Sequence, residues 1–280
     1  MINDQLVREI QQICEAAGEL ILAFYSQRDA ITVTHKADKT PVTVADKSAS
    51  DLIQQGLTTL SPRLPVLSEE GDQPGHTVRK QWRRYWLVDP LDGTHEFLLG
   101  SGQFTVNIAL IEDGRTVWGM IYAPVDDCFY WGGEGCVAQR LQNGVLSDLK
   151  LADADETALI ATMSRGGAKR PQVIELLAAM QTVRPHQAQL ILGSSLKFCA
   201  IAEGRANLYP RFGPTGEWDT AAGQAIVEAA GGVVCNFAGE PLRYNQAESL
   251  INSSFFVASS RLLKQQLLPM LAQVSPKAQQ

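Results

Sequence analysis

The sequence predicts a mixed α+β and α/β protein built as two packed subdomains, residues 1–150 and 151–280. Three observations predict it. A helical apolar period opens the chain. Strand alternation broken by tight-turn signals fills residues 104–140, and strands alternate with helices after residue 150. At 280 residues the chain is too long for one minimal domain and suits one large α/β unit or two packed subdomains.

Each element has its own signal. Leu6, Ile10, Ile13, Cys14, Ala17, Leu20, Ile21 and Phe24 recur at helical spacing, with Asn3 or Asp4 as the cap. "ITVTHKAD" (31–38) alternates like a strand, and "DKSASDLIQQGLTTL" (46–60) is a second helix. "LPVLSEE" (64–70) and "RYWLVDP" (84–90) are strands that end in acids. "FTVNIALIEDGRTVWGMIYAP" (104–124) is a hairpin around Asp113-Gly114, and "DCFYWGGEGCVAQR" (127–140) extends the meander. The polar, turn-rich "LQNGVLSDLKLADADE" (141–156) marks the subdomain boundary near residue 150. Beyond it come "ALIATMSR", "RPQVIELLAAM", "SSLKFCAIAEG", "ANLYPRF" and "EWDTAAGQAIVEAAGG", an α/β alternation. The final "SPKAQQ" is expected to fray.

Composition narrows the function classes. Hydrophobic residues make up 45% and charged residues 19%, the balance of an ordinary globular protein. A net charge of −6 with no broad basic footprint argues against a nucleic-acid polymer as partner. An anionic small molecule would need metal ions or local Lys and Arg to offset that field. The five cysteines are odd in number and form no C-x-x-C pair, so they read as buried reduced thiols. No apolar leader opens the chain and no run of about 18 apolar residues occurs. The expected location is the cytoplasm, with peripheral contact at the inner face of the membrane left open.

The chemistry concentrates in "WLVDPLDGTHEF" (86–97). Two carboxylates at a strand end are costly unless something positive lies between them. Pro90 biases Asp89 towards extended geometry, which would turn Asp89, the Leu91 carbonyl and Asp92 towards one point. These are hard oxygen donors, suited to Mg²⁺ and not to Zn²⁺. Gly93 permits a tight turn. Thr94 is a good N-cap for "HEFLL", where backbone N–H groups would hold a phosphate. A turn followed by a cap is the bland alternative for this stretch alone. Two more acidic ends weigh against it: Glu69 and Glu70 in "LSEEG", and Asp219 in "EWDTAAG". Ser194 and Lys197 lie three apart on a predicted helix, and Arg211 follows in "YPRFGP"; cations there suit a second phosphate, and Arg also stacks on a base.

"SEE", "DPLDGT" and "WDTAAG", in this order on a chain of this length, resemble the lithium-sensitive, Mg²⁺-dependent phosphatase superfamily of inositol monophosphatase. "KADKTPVTVAD", "FTVNIALI", "GSSLKFC" and "LYPRFGPT" resemble its bacterial 3'(2'),5'-bisphosphate nucleotidase branch, so the resemblance runs over nearly the whole chain. It implies a layered stack of alternating helices and sheets, with the metal site between the subdomains. It implies two or three Mg²⁺ ions. Glu69, Asp89 and the Leu91 carbonyl would bind one, and Asp89, Asp92 and Asp219 a second, with Asp89 bridging and Glu69 also facing a third. Thr94 and Asp46 resemble the water-activating pair, although Asp46 also reads as a plain cap before "KSASDLI". The Gly93 and Thr94 amides would hold the phosphate. Glu69, Leu91, Asp92, Asp219, Ser194, Lys197 and Arg211 would complete the substrate site. The implied reaction is hydrolysis of the 3'-phosphate of adenosine 3',5'-bisphosphate to AMP, clearing a by-product of sulfate assimilation. Inositol or sugar monophosphate hydrolysis and a non-catalytic metal-binding scaffold are the alternatives. One departure stands out: His95 occupies a position that is most familiar as Lys in this branch.

Overall fold

The computed structural model describes residues 2–28, 34–35, 41–60, 62–151 and 158–274. Helix α1 (Asp4–Tyr25) opens the chain, and the Asn3 side chain accepts from the Leu6 N–H at 2.9 Å. Its buried stripe is Ile10, Cys14, Ala17 and Ile21. Of the strand expected over residues 31–38, β1 (Thr34–His35) is described, paired with β2 (Pro41–Val42); the remainder lies outside the described residues. Helix α2 (Val44–Thr59) follows, capped by Thr43.

β3 (Val66–Ser68), α3 (His76–Arg79), β4 (Arg84–Asp92), α4 (Thr94–Leu98), β5 (Thr105–Glu112), β6 (Arg115–Ala123), β7 (Cys128–Gly133), β8 (Cys136–Gln142) and β9 (Val145–Leu149) come next. Their strands form a seven-stranded sheet in sequence order, parallel at β3–β4 and antiparallel from β4 onward. The β5–β6 turn has Asp113 at φ 49° and Gly114 at φ 71°, the two left-handed positions that a tight hairpin demands.

β10 (Ala158–Met163), α5 (Pro171–Met180), β11 (His186–Ile191), α6 (Leu196–Ala202), β12 (Leu208–Arg211), α7 (Ala221–Ala229), β13 (Val233–Asn236), β14 (Phe255–Ala258) and α8 (Arg261–Val274) complete the chain. These strands form a five-stranded mixed sheet ordered β11-β10-β12-β14-β13.

The elements stack as alternating layers. α1 and α2 cover one face of the large sheet through Ile10, Ile53, Trp86, Ile108 and Trp118. α6 and α7 lie between the sheets, where Phe198 and Ile226 pack with Leu87 and Ala109 on one side and with Tyr209 and Phe255 on the other. α5 and α8 close the far face through Val173, Leu176, Leu263 and Leu267. Every residue of α6, Lys197 included, is therefore buried. Gly119 on β6 lets α7 approach closely, since a Cβ there would lie 2.5 Å from the Ala222 Cα.

The sequence pattern predicts no element at β2, α3, β13, β14 or α8, and two further strands carry no pattern at all. β9 falls in the stretch expected to be a linker, and β11 was not foreseen. Both are edge strands, and four consecutive residues in each are exposed, so no alternation marks them.

Candidate active site

A bulge shapes the end of β4. Asp89 pairs with Asn107 and Asp92 with Thr105, so three steps on β4 match two on β5. In a regular strand, residues three apart point to opposite faces. The extra residue brings Asp89 and Asp92 to the same face. Pro90 sits within the bulge, where a missing N–H breaks no ladder bond. The Asp89 Oδ1 accepts from the Leu91 N–H at 3.1 Å and fixes the local turn.

Glu69, Asp89 and Asp219 come together from three elements. They sit just after β3, on β4 and in the 3-10 turn before α7, and each offers an oxygen within 4.8 Å of the others. Burial, followed by the charges of Glu69, Asp92 and Asp219, holds the Asp89 carboxyl well above the ordinary carboxylate range. Burial, followed by Asp92 and Glu69, pushes Asp219 up to about 8. No Lys or Arg forms an ion pair with Asp89 or Asp219 among the described residues. Carboxylates crowded in this way around a buried one need protons or a cation, and an all-oxygen donor set fits a hard divalent ion of the Mg²⁺ type.

Thr94 has a different local role from the cap expected of it. Gly93 caps α4, at φ 97°, where a Cβ would lie 3.1 Å from the Gln103 carbonyl oxygen and 3.2 Å from the Ser194 Cβ. The Thr94 hydroxyl is thereby free to donate to Asp46 Oδ1 at 2.9 Å; the Leu91 carbonyl oxygen lies 3.4 Å away. Asp46 is the third residue of α2, and its Oδ2 accepts from the Thr43 N–H at 2.8 Å and the Thr43 hydroxyl at 2.6 Å. The N-cap of α2 is Thr43 and not Asp46 as expected: one oxygen of Asp46 completes the capping box from the third helical position, and the other holds Thr94.

A cleft of about 160 Å³ opens beside these groups, lined by Asp92, Gly93, Glu96, Ser194, Lys197, Tyr209, Arg211, Thr215 and Asp219. Lys197 is only 6% exposed, so it is not a surface helix lysine. Burial lowers its pKa to about 8, against the pull of Asp92. Its ammonium donates to the Ser194 carbonyl and stands 5.4 Å from the centre of the Tyr209 ring. Ser194 is not on the helix as expected; it precedes α6 in a left-handed conformation, φ 45°, which aims its carbonyl at Lys197. Arg211 donates from Nη2 to the Pro214 carbonyl at 3.0 Å, while its buried Nε has no hydrogen-bond partner among the described residues. Two larger grooves, of about 730 Å³ along α1 and α2 and about 830 Å³ beside β9 and α7, hold no such carboxylate trio among the described residues.

Residues 3–279 match the inositol monophosphatase family. The chain belongs to that family. It is 45% identical over 253 residues to the 3'(2'),5'-bisphosphate nucleotidase CysQ of Escherichia coli K12, covering 90% of this chain and 99% of the relative. The Haemophilus influenzae protein of the same name is 33% identical, covering 93% and 95%. Among solved structures, CysQ from Bacteroides thetaiotaomicron superposes with a TM-score of 0.78 at 39% identity, covering 91% of this chain and 97% of that one. The Thermotoga maritima IMPase, at 22% identity, shares the fold with a TM-score of 0.75, covering 97% and 98%.

In this family member some site residues have no obvious motif of their own. Thr43, Thr105, Asn107 and Ser195 are each at most 3% exposed: Thr43 bonds Asp46, Ser195 and Asn107 bond Asp92, and Thr105 bonds Asn107. Polar residues inside apolar strands, as in "FTVNIALI", were the available signal, because a buried amide there requires a partner. His95 points outward, 72% exposed, with Nδ1 3.5 Å from Glu96 Oε2.

Proposed function

We propose that this chain is a divalent-cation-dependent phosphomonoesterase that removes the 3'-phosphate of adenosine 3',5'-bisphosphate, yielding AMP and phosphate. The observation that carries the reading is the trio of Glu69, buried Asp89 and Asp219, set beside a cleft that Asp219 and Asp92 line together with the buried Lys197 and with Arg211. The relatives named as bisphosphate nucleotidases support the choice of substrate.

Glu69, Asp89, Asp92, Asp219 and the Leu91 carbonyl would hold two or three Mg²⁺ ions. When bound, such ions supply Lewis acidity at the phosphoryl oxygens and lower the pKa of a water. The chain's own groups do the rest. Thr94 gives its hydroxyl proton to Asp46, which leaves its oxygen lone pairs to accept a proton from the attacking water. Thr43 holds Asp46 still during this transfer. The Gly93 and Thr94 amides bind the scissile phosphate. Lys197, Arg211 and Ser194 take the second phosphate or the base, and a phosphate beside the buried Lys197 ammonium offsets its desolvation. The reaction would clear its substrate, a by-product of sulfate assimilation.

A substrate panel tests the reading. Phosphate release from adenosine 3',5'-bisphosphate, its sulfated analogue, inositol 1-phosphate and fructose 1,6-bisphosphate is measured with Mg²⁺ and with chelator. The expected result is Mg²⁺-dependent, Li⁺-inhibited turnover, fastest on the nucleotide. Full activity in chelator overturns the cation, and faster turnover of inositol 1-phosphate overturns the substrate.

A further inference from the structure

Asp92 has one oxygen already engaged. Its Oδ2 accepts from the Ser195 hydroxyl at 2.7 Å and from Asn107 Nδ2 at 3.4 Å. Asn107 Nδ2 donates to Ser195 Oγ at 2.8 Å, and Asn107 Oδ1 accepts from the Thr105 hydroxyl at 3.0 Å. The Ser195 Oγ also lies 3.1 Å from the backbone oxygen of Asp219. The directions are consistent along the chain of bonds. Thr105 occupies the amide oxygen of Asn107, which turns the NH₂ towards Ser195. Ser195 accepts there, and its single proton goes to the nearer, charged acceptor, Asp92.

These side chains come from separate layers. Thr105 and Asn107 stand on β5, Asp92 ends β4, Ser195 precedes α6, and Asp219 precedes α7. Thr105, Asn107 and Ser195 are 0–1% exposed, so water does not compete. A bond made only to tie layers together would serve equally well on any backbone group. This network ends instead on one carboxylate oxygen of a residue beside the Glu69–Asp89–Asp219 trio. A carboxylate that ligates through one oxygen is oriented by whatever holds the other.

We propose that Ser195, held by Asn107 and Thr105, is a positioning residue: it fixes the outer oxygen of Asp92 next to the backbone of Asp219, so that the inner oxygen is presented to a divalent cation in one orientation. The inference rests on the cation-dependent reading above. Losing the hydroxyl lets the Asp92 carboxylate rotate and leaves the Asn107 amide without its nearest acceptor.

The test is calorimetric titration of the metal-stripped full chain with Mn²⁺, alongside thermal unfolding in chelator. The proteins are wild type, Ser195→Ala, Asn107→Ala, Asp92→Asn and the double variant Ser195→Ala/Asp92→Asn. Ser195→Ala is expected to weaken one Mn²⁺ site about 10- to 100-fold, the usual range for an orienting partner of a ligand. Asn107→Ala shifts the same site in the same direction. In the Asp92→Asn background, Ser195→Ala adds no further loss, because both act through one carboxylate. A general loosening of the fold would instead add in full and would lower the chelated melting temperature in step. Unchanged Mn²⁺ affinity in either single variant, or full additivity, overturns the proposal. If the wild type binds no Mn²⁺, the cation-dependent reading itself falls and takes this inference with it.

Discussion

At the residue scale, Asp89 is where the electrostatics of the site converge. It is 1% exposed and its carboxyl is pushed upward by burial and by three neighbouring acids. Asp89→Asn removes a charge without changing shape. The expected outcome is a folded protein with turnover reduced by at least about a thousandfold, in line with the several kcal/mol a catalytic metal supplies. Mg²⁺ should raise the melting temperature of the wild type by binding the native state alone, and this increment should shrink in the variant. Near-normal turnover of folded Asp89→Asn would refute its central role. Lys197 makes the complementary case. Its folded pKa, about 8, lies below the 10.5 of a free lysine. Below pH 8 both states carry the proton, and the buried ammonium costs stability. Between pH 8 and 10.5 the unfolded chain holds a proton that the native state has released, so stability rises with pH. The cost below pH 8 is about 3 kcal/mol for a shift of this size. Lys197→Met in chelator should therefore be more stable than wild type at pH 7, by up to that amount. Its advantage should decline towards pH 10.5, read from denaturant titrations at several pH values. The same substitution should lower kcat/KM for adenosine 3',5'-bisphosphate roughly ten- to hundredfold, as expected for a lost charge-assisted bond. Inositol 1-phosphate, with no second phosphate, should be affected much less.

At the element scale, the β4 bulge and the Gly93 turn place the ligands. The bulge was not legible in the sequence. "DPLDGT" displays the acids, but the direction in which Asp92 points depends on its pairing with Thr105 across the sheet. The turn is more local. Gly93 has φ 97°, and a Cβ would press on the Gln103 carbonyl and on Ser194. Gly93→Ala should cost roughly 1–3 kcal/mol of stability, from left-handed strain and the contacts together. It should also lower turnover, because it displaces Thr94 from Asp46. A melting temperature and rate equal to wild type would mean that the turn relaxes freely. The Asp113-Gly114 hairpin, by contrast, was readable because its two residues alone satisfy the turn. β9 and β11 were not, because an edge strand exposed on both faces has no period to read.

At the scale of the whole molecule, the site depends on how closely the α6–α7 layer meets the large sheet. Gly119 sets that distance, with Ala222 directly against it. Asp219 lies in the turn that leads into α7. Gly119→Ala, which has no contact with substrate in this reading, should force α7 outward and carry Asp219 with it. The expected outcome is a melting temperature lowered by several degrees, a weaker response to Mg²⁺ and slower turnover, since overpacking costs about 1–3 kcal/mol. Lower stability with unchanged Mg²⁺ dependence would separate this contact from the site.

The sequence by itself determined what its local patterns encode. A cap at Asn3 or Asp4, the apolar face of α1, the existence of α2, the central hairpin and the acidic strand ends all depend on residues a few positions apart. Only the tertiary structure decided which groups meet. Thr94 and Asp46 are 48 residues apart, and Ser195 and Asp92 are 103 apart. Neither pair leaves a periodic trace, because a hydrogen bond between layers constrains two side chains and not the spacing around them; the first was expected through the family resemblance alone, and the second was not expected at all. The burial of Lys197 belongs to the same class. "SSLKFC" has the look of any helix start, and it is the sheet on each side of α6 that removes the lysine from water.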